Sequence, residues 1–177
     1  QGGITVGAKA LTLNGSGVSS AGALRNVSGA NTYGGLLTLA SDATIKSDAG
    51  SLALTNAGTI TGAFDLTVGG AGNLSIASII GTGAGSLTEF GAGTLTLSGA
   101  NTFTGGVTLD AGTLNINSTA ALGGAAGAFV LNGGTIDNTS GAAKTTNNYP
   151  LTLNADFIFT GGAGTTQNLI HGAGATS

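Results

Sequence analysis

A short pattern, AGxLx(L/I), recurs along the chain in copies that lie at 49–54, 71–76, 92–97 and 111–116. The intervals between the copies are 22, 21 and 19, and a related GGTIDN at 133–138 adds a step of 22. No helix-length segment separates the copies for a βαβ crossover, and hairpins would repeat over a far shorter distance. A period of about 20 with several short strands per turn is typical of a parallel β-helix, in which each turn of chain covers its neighbour.

The strands are indicated by a triplet of an apolar residue, a small polar residue and a second apolar residue. Since side chains alternate along a strand, each triplet places two aliphatic residues on one face and the small residue on the other. Gly, Asn or Asp flank nearly every copy and favour turns. The sequence therefore predicts strands of three to five residues separated by tight turns. The triplets lie at 4–6, 11–13, 37–39, 66–68, 95–97, 107–109 and 151–153, and with a different middle residue at 52–54, 74–76 and 114–116.

These features predict an all-β fold, with one continuous parallel β-solenoid over residues 1–177. A length of 177 divided by a period of 21 gives about eight rungs. Leu, Ile, Val and Phe are expected to stack inside, and Thr, Ser and Asn outside, where Asn and Thr can hydrogen-bond from rung to rung. A β-sandwich of many short strands is the alternative fold. The lack of long alternating strands favours the solenoid.

Composition and charge exclude several classes of function. The chain has 35 Gly, one Pro and no Cys. It shows neither a strict Gly-X-Y period nor an apolar run long enough to span a bilayer, so we expect neither collagen nor membrane insertion. Four basic and seven acidic residues give a net charge of −3, which offers no electrostatic basis for binding nucleic acid.

We predict no catalytic, cofactor-binding or metal-ligating residue. There is no GxGxxG phosphate loop and no GxSxG nucleophile motif. A zinc site is not expected, because His171 is the only histidine and cysteine is absent. The acidic residues are dispersed and Arg25 is the only arginine, so no acid-rich cleft is predicted. Asp48 and Asp110 each lie in a DAG sequence before a strand, and we expect both to accept hydrogen bonds from turn N–H groups.

A longer repeat is present as well. Ser28 to Leu39 reads SGANTYGGLLTL and Ser98 to Leu109 reads SGANTFTGGVTL, with eight of twelve positions identical at an offset of 70. Tyr33 and Phe103 occupy the same place in the two copies. We therefore expect an aromatic ring at this place to pack over a corner of the coil.

Residues 91–116, GAGTLTLSGANTFTGGVTLDAGTLNI, resemble the autotransporter-associated β-strand repeat of bacterial surface and secreted proteins. Residues 22–54 are similar to a longer form of the same module. The resemblance implies a right-handed parallel β-helix in an exported passenger region. It also implies an extracellular or cell-surface location and no catalytic residues to carry over.

These observations favour a non-catalytic structural module that builds a stiff shaft or a head-to-tail filament. No amphipathic helix caps either end, and an open coil exposes unpaired strand edges. We therefore expect end-to-end self-association, or covalent continuation in a longer passenger. The alternative is an adhesin or glycan-binding module, in which Thr and Asn ladders with Tyr33, Phe103 and Tyr149 face a surface glycan or a host ligand. A hydrolase or lyase is a third hypothesis, and it requires several acids in one groove.

Overall fold

The structure, a computed structural model, describes residues 3–160 and 169–170. This part of the chain is all-β, and every strand pairing in it is parallel. Its one helical segment is a 3-10 turn at Val18–Ser20. The strands are β1 (Thr5–Val6), β2 (Leu11–Gly15), β3 (Leu24–Asn26), β4 (Ala30–Tyr33), β5 (Leu37–Ser47), β6 (Ser51–Leu54), β7 (Thr59–Ile60), β8 (Leu66–Gly69), β9 (Asn73–Ile76), β10 (Ile79–Ile80), β11 (Leu87–Phe90), β12 (Thr94–Leu97), β13 (Val107–Leu109), β14 (Thr113–Ile116), β15 (Phe129–Leu131), β16 (Thr135–Asp137), β17 (Lys144–Thr145), β18 (Leu151–Leu153), β19 (Ile158–Phe159) and β20 (Leu169–Ile170).

Two long parallel sheets run along the axis of a β-solenoid. Sheet A has eight strands in the order β1-β4-β6-β9-β12-β14-β16-β19. Sheet B has the order β2-β5-β8-β11-β13-β15-β18, with β3 also paired to β5. Eight strands in sheet A enclose seven turns of chain, which span about 34 Å at an inter-strand spacing of about 4.8 Å. The predicted all-β parallel solenoid is confirmed for the described residues, with one turn fewer than the length alone suggested.

The register of sheet A reproduces the spacing of the sequence pattern. From β6 to β16, paired residues on neighbouring strands differ in number by 22, 21, 19 and 22, the intervals read from the sequence. The outer coils are longer, with differences of 27 between β1 and β4 and 23 between β16 and β19. Coil length therefore varies along the solenoid while the ladder itself continues.

Each coil visits three faces of the solenoid. A strand of sheet A leads to a short third face, then to a strand of sheet B, and a tight turn returns the chain to sheet A. On the third face β7 pairs with β10, and β17 pairs with β20. Where the third face holds no strand the rungs still connect, because the Thr102 N–H donates to the Ile80 carbonyl at 2.9 Å.

The interior is a column of aliphatic side chains from both sheets and the third face. In the triplet Leu66-Thr67-Val68 the outer two residues are buried and the threonine is half-buried, as the alternation predicts. The same pattern holds in β12 and β13. Removing one such side chain from water contributes about 1.5–3 kcal/mol. The largest fully buried side chains are Phe103, Leu13, Leu39, Ile45, Leu54, Ile60, Leu66, Leu74, Ile76, Ile80, Leu87 and Leu95.

Strand length departs from the expected three to five residues in both directions, since β1, β7, β10, β17, β19 and β20 have two residues. The long exception is β5, which has 11 residues. Its first residues pair with β2 and bridge to Thr61 on the third face, whereas residues 43–46 pair with β8 in sheet B. The strand thus turns a corner without a glycine. The register between β2 and β5 shifts between Leu13 and Gly15, which accommodates this bend.

Tyr33 and Phe103 share a place in the repeat but not in the solenoid. Tyr33 ends a sheet A strand, and its column continues through Leu54 and Ile76 to Leu97. Phe103 follows Leu97 in the chain and lies on the way to sheet B. The two copies of the repeat therefore occupy different faces, because a strand of sheet B precedes the first copy and a strand of sheet A precedes the second.

The turn from sheet B to sheet A requires glycine where the backbones of neighbouring coils approach each other closely. Gly91 has a φ of +94°, which L side chains rarely adopt, and an added Cβ would lie 2.5 Å from the Gly70 carbonyl oxygen of the neighbouring coil. Gly112 repeats this arrangement one coil further on, with φ +77°. Glycine at these positions allows consecutive turns to lie in contact.

Candidate interaction surfaces

The outer surface of sheet A is a polar face with little charge. Thr94, Thr113 and Thr135 form one outward column, since they are register partners in β12, β14 and β16. Thr96 and Asn115 belong to the adjacent column, and the Asn115 amide donates to Thr96 Oγ1 at 3.2 Å. Hydroxyl and amide groups at strand spacing can offer a repeating set of hydrogen-bond donors and acceptors.

A ladder of polar side chains runs along the edge of sheet B. Asn132 Nδ2 donates to Asp110 Oδ1 at 2.6 Å, and Asn154 Nδ2 donates to Asn132 Oδ1 at 2.7 Å. The hydroxyls of Thr38 and Thr61 also join neighbouring rungs, at a distance of 3.3 Å. The predicted hydrogen bonding of Asn and Thr from rung to rung is confirmed at these positions.

The predicted turn-acceptor roles of Asp48 and Asp110 are not what the structure shows. Asp48 forms an ion pair with Arg25 and lies 3.4 Å from Lys46, while Asp110 accepts from Asn132. The hydrogen bond from Arg25 is the main reason that the pKa of Asp48 lies below its usual value. These two aspartates therefore join neighbouring rungs through side chains.

Two other aspartates accept hydrogen bonds from backbone N–H groups of the following coil. Asp42 Oδ1 accepts from the Asp65 N–H at 3.0 Å, and Asp65 Oδ1 accepts from the Ser86 N–H at 2.7 Å. Each carboxylate thus holds the corner of the next coil. The local sequence gave no signal for this role, because the N–H that each carboxylate binds belongs to the following coil.

Glu89 lies inside the solenoid, a position that the sequence analysis missed. It stands between Val68 and Leu109 in the inward column of sheet B and is 1% exposed. Its Oε2 atom has no hydrogen-bond partner, and burial raises the pKa of this carboxyl to about 9. The sequence contains a signal for this position. Leu87-Thr88-Glu89 follows the triplet pattern, in which the first and third side chains face the interior, and Glu89 is the third residue.

The three aromatic residues proposed for glycan contact are buried. Tyr33 is 8% exposed, Phe103 0% and Tyr149 3%. The Tyr33 hydroxyl donates to the Lys9 carbonyl, and the Tyr149 hydroxyl donates to the Gly123 carbonyl at 2.8 Å. The prediction that these rings face a ligand is therefore wrong. They pack inside the coil, and the two tyrosines use their hydroxyls to link rungs.

Apolar side chains are exposed on the outermost coils of the described chain. Ile4 is 67% exposed and Val6 40%, in β1 and its approach, and they border a cleft of about 160 Å³ together with Tyr33. In the last coil, Leu153 is 55% exposed and Phe159 57%. Val6, Leu153 and Phe159 occupy inward positions of their columns, so their exposure reflects the lack of a covering rung among the described residues.

The described residues contain no group of three His, Cys, Asp or Glu that could hold a metal ion. The seven acids do not meet in one groove there: Glu89 is buried alone, and the others lie on outward positions or in turns. Within the same residues, no helix has the length and apolar character to cross a bilayer. His171 lies outside the described residues.

Residues 87–116 match the passenger-associated-transport-repeat family. The matched segment runs from β11 to β14, which is one full coil followed by the next strand of sheet B and the next strand of sheet A. The chain is therefore similar to this family over one stretch, and the resemblance noted for residues 91–116 is confirmed. The resemblance of residues 22–54 stays a prediction. No curated protein and no solved structure matches the chain significantly.

Proposed function

We propose that this chain is a non-catalytic structural module in the passenger of a secreted or cell-surface bacterial protein, where it forms a stiff shaft. The observation that carries the proposal is the unbroken ladder of sheet A, eight parallel strands with aliphatic columns beneath them. The passenger repeat at 87–116 supports an exported location. A solenoid of this kind gains stability from each interface between adjacent coils, so its length can grow without a new core.

The first coil supports a further part of the proposal, that a neighbouring solenoid covers it. Unpaired strand edges favour the addition of more strands. The exposed Ile4 and Val6 lie along sheet A in this coil. Because all described pairings are parallel, a rung added here keeps the same strand direction. We propose that this rung comes either from continuation of the passenger or from a second copy of the chain, stacked head to tail.

Limited proteolysis on cells that produce the parent protein tests the structural role. Added protease should reach the shaft, because a surface module is accessible from outside the cell. We expect it to cut only at exposed loops such as residues 139–143. Cleavage within β6, β9 or β12 would contradict a continuous coil. Protection of the whole chain in intact cells, with cleavage after lysis, would contradict the surface location.

Small-angle scattering of the purified chain tests the stacking. Head-to-tail association predicts that the longest particle dimension grows with concentration in steps of one subunit length, which is at least about 34 Å for the described turns, while the cross-section stays constant. Substituting Val6→Lys places a charge at the sheet A edge and should keep the longest dimension at that of a single subunit. Growth of the cross-section would indicate lateral association and contradict stacking.

An adhesin role has one observation in its favour, the polar face of sheet A with Thr94, Thr96 and Thr113. Uncharged hydroxyls at regular spacing suit hydrogen bonding to a glycan. The double variant T94V/T113V keeps the strand shape and removes two hydroxyls. If this second hypothesis holds, the double variant should lose binding to a glycan array. The matched control, T12V on sheet B, should keep it. Equal binding by both variants would contradict it.

A further inference from the structure

The position of Glu89 combines three features that a structural carboxylate does not normally show together. It points inward between Val68 and Leu109, it is 1% exposed, and its Oε2 atom has no partner. Placing an ionised carboxylate in such a site is strongly unfavourable, because no hydrogen bond replaces the water that Oε2 loses. The carboxyl is therefore held in its neutral form in the folded coil.

Among the described residues, no cation faces Glu89 to offset a negative charge. The paired strands β8 and β13 contain no charged residue, and neither do β9 and β12 of sheet A. The charged residues that flank the paired strands are Asp65, before β8, and Asp110, after β13, and both are exposed and acidic. Lys46 of β5, which pairs with β8, lies on an outward position and contacts Asp48. Any charge on Glu89 would therefore remain unbalanced.

The same coil has a second unsatisfied polar atom. Thr82 is 0% exposed and its Oγ1 has no hydrogen-bond partner. Only one other buried side-chain atom in the described chain, Asn115 Oδ1, shares this state. Two of the three thus lie within residues 79–90, in the middle of the stack, where coils cover both sides. Each buried polar atom without a partner costs about 1–3 kcal/mol.

We propose that Glu89 is a proton-controlled weak point of the solenoid: the coil of residues 79–90 stays closed while this carboxyl carries its proton and opens when the proton is lost. In the unfolded chain the pKa of Glu89 is near 4.5, and in the folded coil it is about 9. Folding at neutral pH therefore takes up a proton from solvent. The stability contribution is complete below pH 4.5, decreases as pH rises, and is lost at about pH 9.

Hydrogen exchange of the full chain between pH 5.5 and 8.5 tests the proposal, with rates corrected for intrinsic exchange. Across this window each pH unit should raise the opening constant about tenfold, so protection of β8, β11 and β13 should fall by about a thousandfold over three units. Glu89→Gln has the same shape and cannot ionise, so its protection should not depend on pH. Asp156→Asn removes an exposed carboxylate and should behave as the wild type.

Equal pH dependence in wild type and E89Q would overturn the proposal. A loss of protection that begins in β15 and β18 while β11 stays protected would also overturn the proposal. If E89Q does not fold, proton uptake by the wild-type chain tests the proposal instead. The chain is refolded at pH 8 and the heat is measured in two buffers of different ionisation enthalpy. The difference in heat should correspond to uptake of close to one proton. At that pH an ordinary histidine is neutral in both states. Absence of uptake refutes the assignment.

Discussion

The side-chain amide of Asn132 donates to the Asp110 carboxylate at 2.6 Å and joins residues 22 positions apart in the sequence. Asn132 also accepts from Asn154, so it is the central member of a three-residue ladder along the edge of sheet B. The ladder follows the same rung spacing as the backbone. Side chains on the outer surface thus reinforce the register that the aliphatic interior sets.

Replacing the centre of this ladder should cost more than replacing its end. Asn132→Ala removes both hydrogen bonds, and Asn154→Ala removes one. Exposed hydrogen bonds lie at the low end of the usual range of about 0.5–1.5 kcal/mol. We therefore expect a loss of about 1 kcal/mol in the free energy of unfolding for N132A and about half of that for N154A, measured by urea denaturation. A larger effect from N154A would contradict the ladder.

Gly91→Ala should destabilise the coil for two reasons. An alanine at a φ of +94° costs about 1–2 kcal/mol, and its Cβ would lie 2.5 Å from the Gly70 oxygen, so the neighbouring turn must move. Gly83→Ala is the matched control, since Gly83 has a φ of +59° with open space around its Cβ position. Thermal unfolding should show a clearly larger loss for G91A. Equal losses would mean that close approach at the turn does not matter.

Leu95→Ala tests the aliphatic column. Leu95 is 0% exposed and lies between Leu74 and Leu114 in sheet A. Truncating a buried leucine costs about 2–5 kcal/mol, and the stiff stack on both sides limits collapse of the cavity. Val27→Ala serves as the control, because Val27 is 62% exposed and such changes stay within about 0.5 kcal/mol. Similar denaturation midpoints for the two variants would rule out a packed interior at this rung.

The ion pair of Arg25 with Asp48 should be visible in a titration. Arg25→Met removes the main cause of the lowered pKa of Asp48, so this pKa should rise towards 3.8. Lys46→Met should have a smaller effect, since the hydrogen bond from Arg25 contributes more. Because the folded-state pKa is depressed, the pair stabilises the fold above pH 3.8, and this contribution is lost as the pH falls. NMR titration of the Asp48 carboxyl checks both variants, and a larger shift in K46M would reverse the assignment.

The sequence predicts the fold well where one local rule decides it. Alternation assigns Leu66 and Val68 to the interior, and the AGxLx(L/I) spacing gives the offsets within sheet A. Both follow from strand geometry and need no knowledge of distant residues. The bend of β5 and the different faces of Tyr33 and Phe103 were not predictable in this way. They depend on which strand of another coil each segment meets.

The candidate surfaces were predicted less completely. Ladders of Asn and Thr were expected, but their members depend on which residues share a rung, and Asp110 enters a ladder that its turn motif did not suggest. Glu89 could have been found from its place in the triplet frame. Its buried position follows from the alternation of strand side chains and not from any acid-rich groove.

Variable coil length has a practical consequence. The rungs of sheet A stay aligned although the chain from Thr5 to Thr32 is longer than the chain from Thr94 to Thr113, so the corners absorb the difference. Insertions at such corners, for example within residues 139–143, should leave the ladder unchanged. The solenoid is then a scaffold on which peptide epitopes can be displayed at fixed intervals, each spaced from the next by a whole number of rungs.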